Sequence, residues 1–214
     1  TLIYFGLKLR FKKLLKNDEF KWYVSAIASV IILLSLVHYF TIDQTSFTSS
    51  FREISFQVVS IITTTGYATA DYTLWGSFMG FIFFLFLFSG ASAGSTSGGI
   101  KIVRIILLIK NGLLEFKRRL HPKAVIPLIL NKTTVSGQIT YNLLAFIFLY
   151  LFIFTISSLI LTAIGVDFLT SISASASAIG NVGPGIGTVG PSASFSHIPD
   201  LGKWVLSLLM LMGR

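Results

Sequence analysis

The chain has 214 residues, of which 53% are hydrophobic and 12% charged; it has no cysteine, and its formal net charge is +9. Mean hydropathy is +0.81. Soluble domains carry about 25% charged residues, so this composition excludes an ordinary soluble domain, a disulfide framework and a thiolate metal site, and it predicts an all-α integral membrane protein. The basic residues are clustered: six of the 17 Lys and Arg fall in residues 8–21 and eight in residues 101–132. That placement fits the positive-inside rule and cytoplasmic connectors in a multi-pass protein of the cell membrane, not a nucleic-acid surface.

Residues 1–21 begin apolar and become strongly basic. They read as the end of a preceding helix plus a cytoplasmic connector, or as a polybasic lipid-binding switch. The start at Thr1 has no signal-peptide pattern, and the apolar run 204–213 is too short to span; both predict a piece of a longer polypeptide. Residues 22–40 form the first complete outward helix, with His38 expected at the interface near its outer end.

Residues 48–62, TSSFREISFQVVSII, have helical length but are too polar and too short to span. The next helix must return to the basic middle of the chain, so this segment is predicted to enter and leave on the outer side, as a half-helix followed by an extended return. That return holds Thr63, Thr64, Thr65, Gly66 and Tyr67, polar residues at a depth where unsatisfied backbone facing lipid costs several kcal/mol per group. They must line a cavity, which points to an ion pore. Glu53 is expected to pair with Arg52 or a neighbouring repeat, and Asp71 and Asp167 to sit near the outer rim.

Residues 74–89 descend from an interfacial Trp75 into Gly90, Ala91, Ser92, Ala93, Gly94, Ser95, Thr96, Ser97, Gly98 and Gly99. Ten residues of Gly, Ala, Ser and Thr do not hold a lipid-facing helix, so the inner helix is predicted to break at mid-depth inside the protein. The spacing of Gly90, Gly94 and Gly98 also fits small-residue helix packing. Gly90 to Gly94 matches the G-x-S-x-G pattern of hydrolases as well, but a Phe-rich segment precedes it, and His38, His121 and His197 lack the context of a triad. Lys101 and Arg104, just after the break, read as cytoplasmic anchors.

A connector with Pro122 and Pro127 follows, where helix is interrupted; the sequon at Asn131 lies on the positive side and is discounted. Residues 139–164 form the next outward helix. A second Ser- and Ala-rich half-helix follows over 166–179, then a glycine-rich return with Gly180, Asn181, Val182, Gly183 and Pro184. An offset of 117 places Gly183 on Gly66, Ser177 on Ser60 and helix 139–157 on 22–40, so the architecture repeats in parallel. The second copy has about 12 extra residues between its glycine turn and Trp204. The units are 1–21, the first repeat 22–118, the connector 119–138 and the second repeat 139–214.

A cation pore needs oxygen ligands that replace water. Gly66 and Gly183 let neighbouring carbonyls turn the same way, the threonines add hydroxyl oxygens, and each half-helix points its partly negative C-terminus at the return loop. A cation is therefore expected beside Gly66 and Gly183, with Thr63, Thr64 and Thr65 adding oxygens in the first loop. Arg214 closes an apolar run, and a charge there is a functional hypothesis by default. A non-conducting membrane scaffold, its glycine motifs serving packing, is the competing reading.

Four motifs in order, TTTGYATADYTLW, SGASAGSTSGGIKIVR, GNVGPGIGTVGP and LLMLMGR, resemble the Trk/Ktr/HKT potassium transporter superfamily, its bacterial TrkH and KtrB members most of all, over residues 51–214. The resemblance implies four parallel helix, pore-loop, helix repeats of potassium-channel type, of which this sequence carries two, the third and most of the fourth. It implies that Gly66 and Gly183 are two of four filter glycines, with potassium at Thr64, Thr65, Gly66, Asn181, Val182 and Gly183, that the stretch from Gly90 to Gly99 is an intramembrane gating loop below the filter, and that Arg214 is an electrostatic barrier beside it. It further implies potassium uptake with no covalent cofactor, possible coupling to sodium or protons, a homodimer in the membrane, and a cytosolic nucleotide-binding ring of TrkA or KtrA type docking on the basic connector.

Overall fold

The computed structural model describes residues 18–41, 46–92, 95–121, 124, 126–130 and 133–214. The described residues form α1 (Asp18–Thr41), α2 (Phe47–Ile62), a 3-10 turn (Tyr72–Trp75), α3 (Ser77–Phe86), β1 (Ser89–Gly90), β2 (Ile100–Lys101), α4 (Ile102–Leu120), β3 (Leu128–Leu130), β4 (Thr133–Val135), α5 (Gly137–Ala163), α6 (Phe168–Gly180) and α7 (Asp200–Met212). Segments Glu19–Thr41 and Gly137–Ala163 are long and apolar enough to cross a membrane. At 1.5 Å per residue, α5 extends about 40 Å, more than the roughly 30 Å hydrocarbon layer, whereas α2 reaches about 24 Å and α6 about 20 Å. Helices α2 and α6 are half-helices, as their polar sequences dictate.

Each half-helix has its own start signal. Ser46 caps α2 by accepting from the Ser49 amide at 3.2 Å, and the Asp167 carboxylate caps α6 through the amides of Leu169 and Thr170. Acidic or hydroxyl oxygen there satisfies donors that a helix start leaves open. Helix α6 is buried almost all round between α5 and α7, because its run of Ser173, Ala174, Ser175, Ala176, Ser177 and Ala178 lets flanking helices approach closely. The first core joins Leu34, Ile54, Val58, Tyr72, Met79 and Phe83, and it continues into Ala176, Val182 and Ile186 of the second repeat. One repeat's interior is thus completed by the other's pore segment.

The 12 extra residues of the second copy are taken up by 3-10 turns at Gly187–Val189 and Phe195–His197 before α7. The first copy makes the same descent with a left-handed Gly76 (φ +92°) between its 3-10 turn and α3.

Several expectations need correction. His38, near the outer end of α1, is 2% exposed, its Nδ1 lies 3.0 Å from the Ser50 hydroxyl, and its ring meets Trp75 edge-on at 4.8 Å. Trp75 is buried too, since the aromatic pair fills the gap between α1 and the descending chain. No Arg52–Glu53 ion pair occurs among the described residues; adjacent residues on a helix point about 100° apart, so they do not meet. Lys101 and Arg104 are not simple anchors, because the Lys101 ammonium donates to the Ser95 carbonyl at 3.1 Å and Arg104 stacks 3.8 Å over the Phe146 ring.

The connector is more ordered than its prolines imply. β3 and β4 pair antiparallel, Leu128 opposite Val135, and Leu128 is buried against Leu107 and Leu143. Asn131, Lys132 and Pro122 lie outside the described residues. Helix α4 ends with Lys117, Arg118 and Arg119 in its last turn, where cations complement the helix dipole.

Candidate functional site

The two return loops have the same backbone. Thr64 (φ 56°) and Asn181 (φ 53°) are the left-handed non-glycine residues among those described, and each is followed two residues later by a glycine of positive φ, Gly66 (77°) and Gly183 (114°). The pairs are related by the same offset of 117. A non-glycine residue held in the left-handed region costs of order 1–3 kcal/mol and persists where function requires it; a β-branched threonine there is a strong outlier. Matching strain at matching positions marks both loops as functional.

Hydrogen bonds repeat as well. The Thr64 amide donates to the Ile61 carbonyl and the Asn181 amide to that of Ala178; the Thr65 amide reaches the Ser60 carbonyl at 2.8 Å and the Val182 amide that of Ser177 at 3.0 Å. Side chains of the half-helices then brace the outgoing strands. In the first loop the Ser60 hydroxyl donates to the Tyr67 carbonyl at 2.6 Å and Gln57 to that of Ala70 at 2.5 Å. In the second, Ser177 donates to the Gly183 carbonyl at 2.8 Å and accepts from its amide at 3.1 Å, while Ser173 donates to the Ile186 carbonyl at 2.7 Å. Sequence reasoning paired Ser60 with Ser177 but assigned neither a role, and it passed over Gln57, Ser173 and Tyr72. The shared offset was the available signal for the serines.

With the amides and hydroxyls used in this way, no donor among the described residues reaches the carbonyl oxygens of Thr64, Thr65, Gly66, Asn181 or Val182. These oxygens are left for a ligand that accepts lone pairs, which is what a cation does. The expectation for the threonine hydroxyls changes: Thr63 Oγ1 donates to the Val59 carbonyl at 2.6 Å and lies 2.8 Å from Thr65 Oγ1, so these two groups hold the loop. The loops also meet. A Cβ added to Gly66 would strike the Val182 carbonyl oxygen and lie 3.3 Å from Pro184 Cδ, and one on Gly183 would lie 3.9 Å from the Gly66 Cα.

Removing the Ser177 hydroxyl exposes the size of this bracing. Ser177→Ala leaves both backbone groups of Gly183 unpaired in a half-buried site, a cost of about 1–3 kcal/mol. The unfolding midpoint of the detergent-solubilised full-length protein should fall by a few degrees; an unchanged midpoint would show that the brace is dispensable.

Beneath the loops lies the broken segment. The strands β1 and β2 pair in parallel, Ser89 opposite Ile100 and Gly90 opposite Lys101, and close the glycine-rich stretch into a loop. The Ser97 hydroxyl accepts from the Ala91 amide and meets the Ser95 hydroxyl at 2.7 Å. Close approach requires glycine here: a Cβ on Gly98 would sit 2.5 Å from the Gly180 carbonyl oxygen, and one on Gly90 2.5 Å from that of Gly98.

A polar cleft of 270 Å³ is lined by Thr63 and Thr64 of the first loop, Asn181 of the second, Ala91, Ser95, Thr96, Ser97 and Gly98 of the broken segment, and Arg214. The fold thus brings together residues that sequence analysis assigned to filter and gate. Thr65, Gly66, Tyr67, Gly180, Val182, Gly183 and Pro184 lie outside this lining, as do Gly90, Ser92 and Gly99. Ala93 and Gly94 fall outside the described residues. Asn181 also ties its loop to α7 by donating to the Met210 carbonyl at 3.0 Å.

On the other side of the loops, a 330 Å³ cavity is lined by Ala68, Thr69, Ala70, Asp71, Pro191 and Ser192. Asp71 caps the 3-10 turn through Thr73 and accepts from the Ser192 hydroxyl of the second repeat. Burial raises its carboxyl pKa, but the bonds from Ser192 and Thr73 outweigh that and hold it below the ordinary value. No cluster of three or more His, Cys, Asp or Glu occurs among the described residues. His38 and His197 are engaged with Ser50 and Thr188, away from Ser92.

Residues 19–214 match the family described as "TrkH: Cation transport protein". The chain is 38% identical over 189 residues to the Trk system potassium uptake protein TrkI of Halomonas elongata, covering 86% of this chain and 38% of that protein. It is 32% identical to TrkH of Escherichia coli, covering 93% and 41%. The crystal structure of the potassium transporter TrkH from Vibrio parahaemolyticus superposes with a TM-score of 0.88 at 33% identity, over 95% of this chain and 43% of that one. The chain therefore spans about two fifths of the length of the curated relatives it matches. It belongs to the TrkH family of cation transport proteins.

Proposed function

We propose that the full-length protein takes up potassium across the cell's inner membrane through a glycine-centred filter to which this chain contributes two of four segments. The observation that carries the reading is the pair of loops with left-handed Thr64 and Asn181 at matching positions, carbonyls that no donor among the described residues reaches, and Gly66 against the Val182 carbonyl. Potassium is held by the open carbonyls of Thr64, Thr65, Gly66, Asn181 and Val182, joined by that of Gly183 through the lone pair its bond from Ser177 leaves free, and the partly negative ends of α2 and α6 favour it there. The loop from Gly90 to Gly99, with Arg214, forms the gate on the cytoplasmic side of the filter.

The relatives are named as potassium uptake proteins of Trk systems, and that supports potassium as the cargo. The membrane potential drives entry, alone or with sodium or proton coupling. The protein acts as a homodimer, and a nucleotide-binding ring of TrkA or KtrA type docks on the basic cytoplasmic surface ending α4. Tracer flux in proteoliposomes of the full-length protein tests this. Potassium influx well above sodium influx is expected; a protein that passes neither ion is the non-conducting scaffold instead.

A further inference from the structure

Among the described residues, Tyr72 is the buried side chain whose hydroxyl crosses from the first repeat to the strand leaving the second return loop. It is 0% exposed, its ring stacks on Phe83 with centroids 4.7 Å apart and planes at 18°, and its hydroxyl donates to the Gly185 carbonyl at 2.6 Å across 113 residues of sequence. Gly185 lies two residues beyond Gly183. We propose that Tyr72 is a positioning residue of the filter, which fixes the distance between the two filter segments and so sets discrimination between potassium and sodium. The proposal rests on the pore reading above.

The neighbouring bonds say why this one is different. Gly183 and Ile186 are held by Ser177 and Ser173, which belong to the same repeat as the strand they hold and move with it. Tyr72 alone among these braces belongs to the other repeat. Gly185 has no slack on its other side: its amide donates to the Val189 carbonyl at 2.7 Å, and a Cβ there would lie 2.8 Å from Val189 Cγ2 and 3.2 Å from Ser173 Oγ. The tyrosine is itself fixed, by the Phe83 stack behind it and by Asp71 beside it, whose carboxylate bonds Thr73 and Ser192.

A strand held from both sides cannot relax towards the axis to wrap the smaller sodium ion.

Tyr72→Phe in the full-length protein removes the hydroxyl and keeps the stacked ring. Proteoliposome flux should show the potassium to sodium ratio falling about fivefold, the scale expected when one buried acceptor loses its donor, with potassium influx itself largely retained. Tyr141→Phe, on an exposed site of α5, should leave the ratio alone. A lowered unfolding midpoint with an unchanged ratio would mean a purely structural tyrosine and would overturn the proposal.

Gly66→Ser measured in parallel separates the two readings. If it shifts the ratio and Tyr72→Phe does not, the brace is wrong and the pore stands; if neither shifts it, the pore assignment fails and the brace with it. Should Tyr72→Phe not be recovered folded, Phe83→Leu, which loosens the stack but keeps the hydroxyl, is expected to lower the ratio less, and a wild-type ratio there overturns the brace.

Discussion

Serine in place of Gly66 is expected to reduce potassium over sodium selectivity of the full-length protein tenfold or more and to abolish growth on low potassium. Two effects combine. Gly66 sits at φ +77°, where a side chain is strained, and its Cβ would run into the Val182 backbone oxygen, an atom assigned to the ion. A backbone clash cannot be relieved by turning a flexible side chain, so one loop must move off the other. Displacement worth about 1.4 kcal/mol of differential binding is already a factor of ten. Gly183→Ser should act through backbone strain alone, because φ +114° disfavours any side chain while the nearest atom to its Cβ, the Gly66 Cα, is 3.9 Å away. Ion flux of both variants, and of alanine at each site, checks the order: Gly66 the more damaging, Gly183 second. Wild-type selectivity in both would remove the filter assignment.

Valine at Gly98 is expected to raise potassium influx through the full-length protein about tenfold in the absence of its regulatory partner, with selectivity unchanged. The broken segment is pressed so closely under the second loop that a Cβ at this position would lie 2.5 Å from the Gly180 carbonyl oxygen and 3.0 Å from Asn181 Cβ. The added side chain drives the segment down, away from the filter floor, and opens the polar cleft. Arg214 lines the same cleft, and in the proposed gate its charge opposes an entering cation. Arg214→Ala should therefore raise influx in the same direction, since about 1.4 kcal/mol of barrier is a tenfold change in rate. Influx at or below the wild-type level in both variants would mean that segment and arginine are not the barrier.

The large features of the fold were legible because they follow from composition and repetition. Helices α1 and α5 announce themselves as apolar runs, and the half-helices as polar runs of helical length that cannot span. The glycine returns were found by an offset of 117 that the backbone then reproduced, down to the left-handed Thr64 and Asn181. The bracing network was not legible. Tyr72 reads in sequence as one more aromatic near an interface, and only packing on Phe83 against a strand 113 residues away gives its hydroxyl a partner. The packing of Trp75 on His38 was hidden for the same reason: near a helix end, an aromatic or a histidine finds its neighbour only through tertiary contacts.

Local chemistry misled in smaller ways. Three threonines beside a glycine suggest hydroxyl ligands, yet Thr63 and Thr65 spend theirs on each other and on Val59, because a threonine hydroxyl at a helix end bonds back to the carbonyl four residues earlier, which here also accepts the Thr63 amide. Lys101 and Arg104 follow the positive-inside pattern, but one holds the Ser95 carbonyl and the other lies on Phe146. Helix α4 ends at Leu120, ahead of Pro127, and the hairpin that follows Pro127 has its register set by Leu128 packing inward.

The central claim is that the loops around Gly66 and Gly183 face one ion path. Its most direct test is an experimental structure of the full-length protein with rubidium in place of potassium, using the anomalous signal to place the ion. The account predicts rubidium between the two loops, ligated by carbonyl oxygens drawn from Thr64, Thr65 and Gly66 and from Asn181, Val182 and Gly183. Rubidium bound elsewhere, with those oxygens hydrated or turned away from a shared axis, would contradict it.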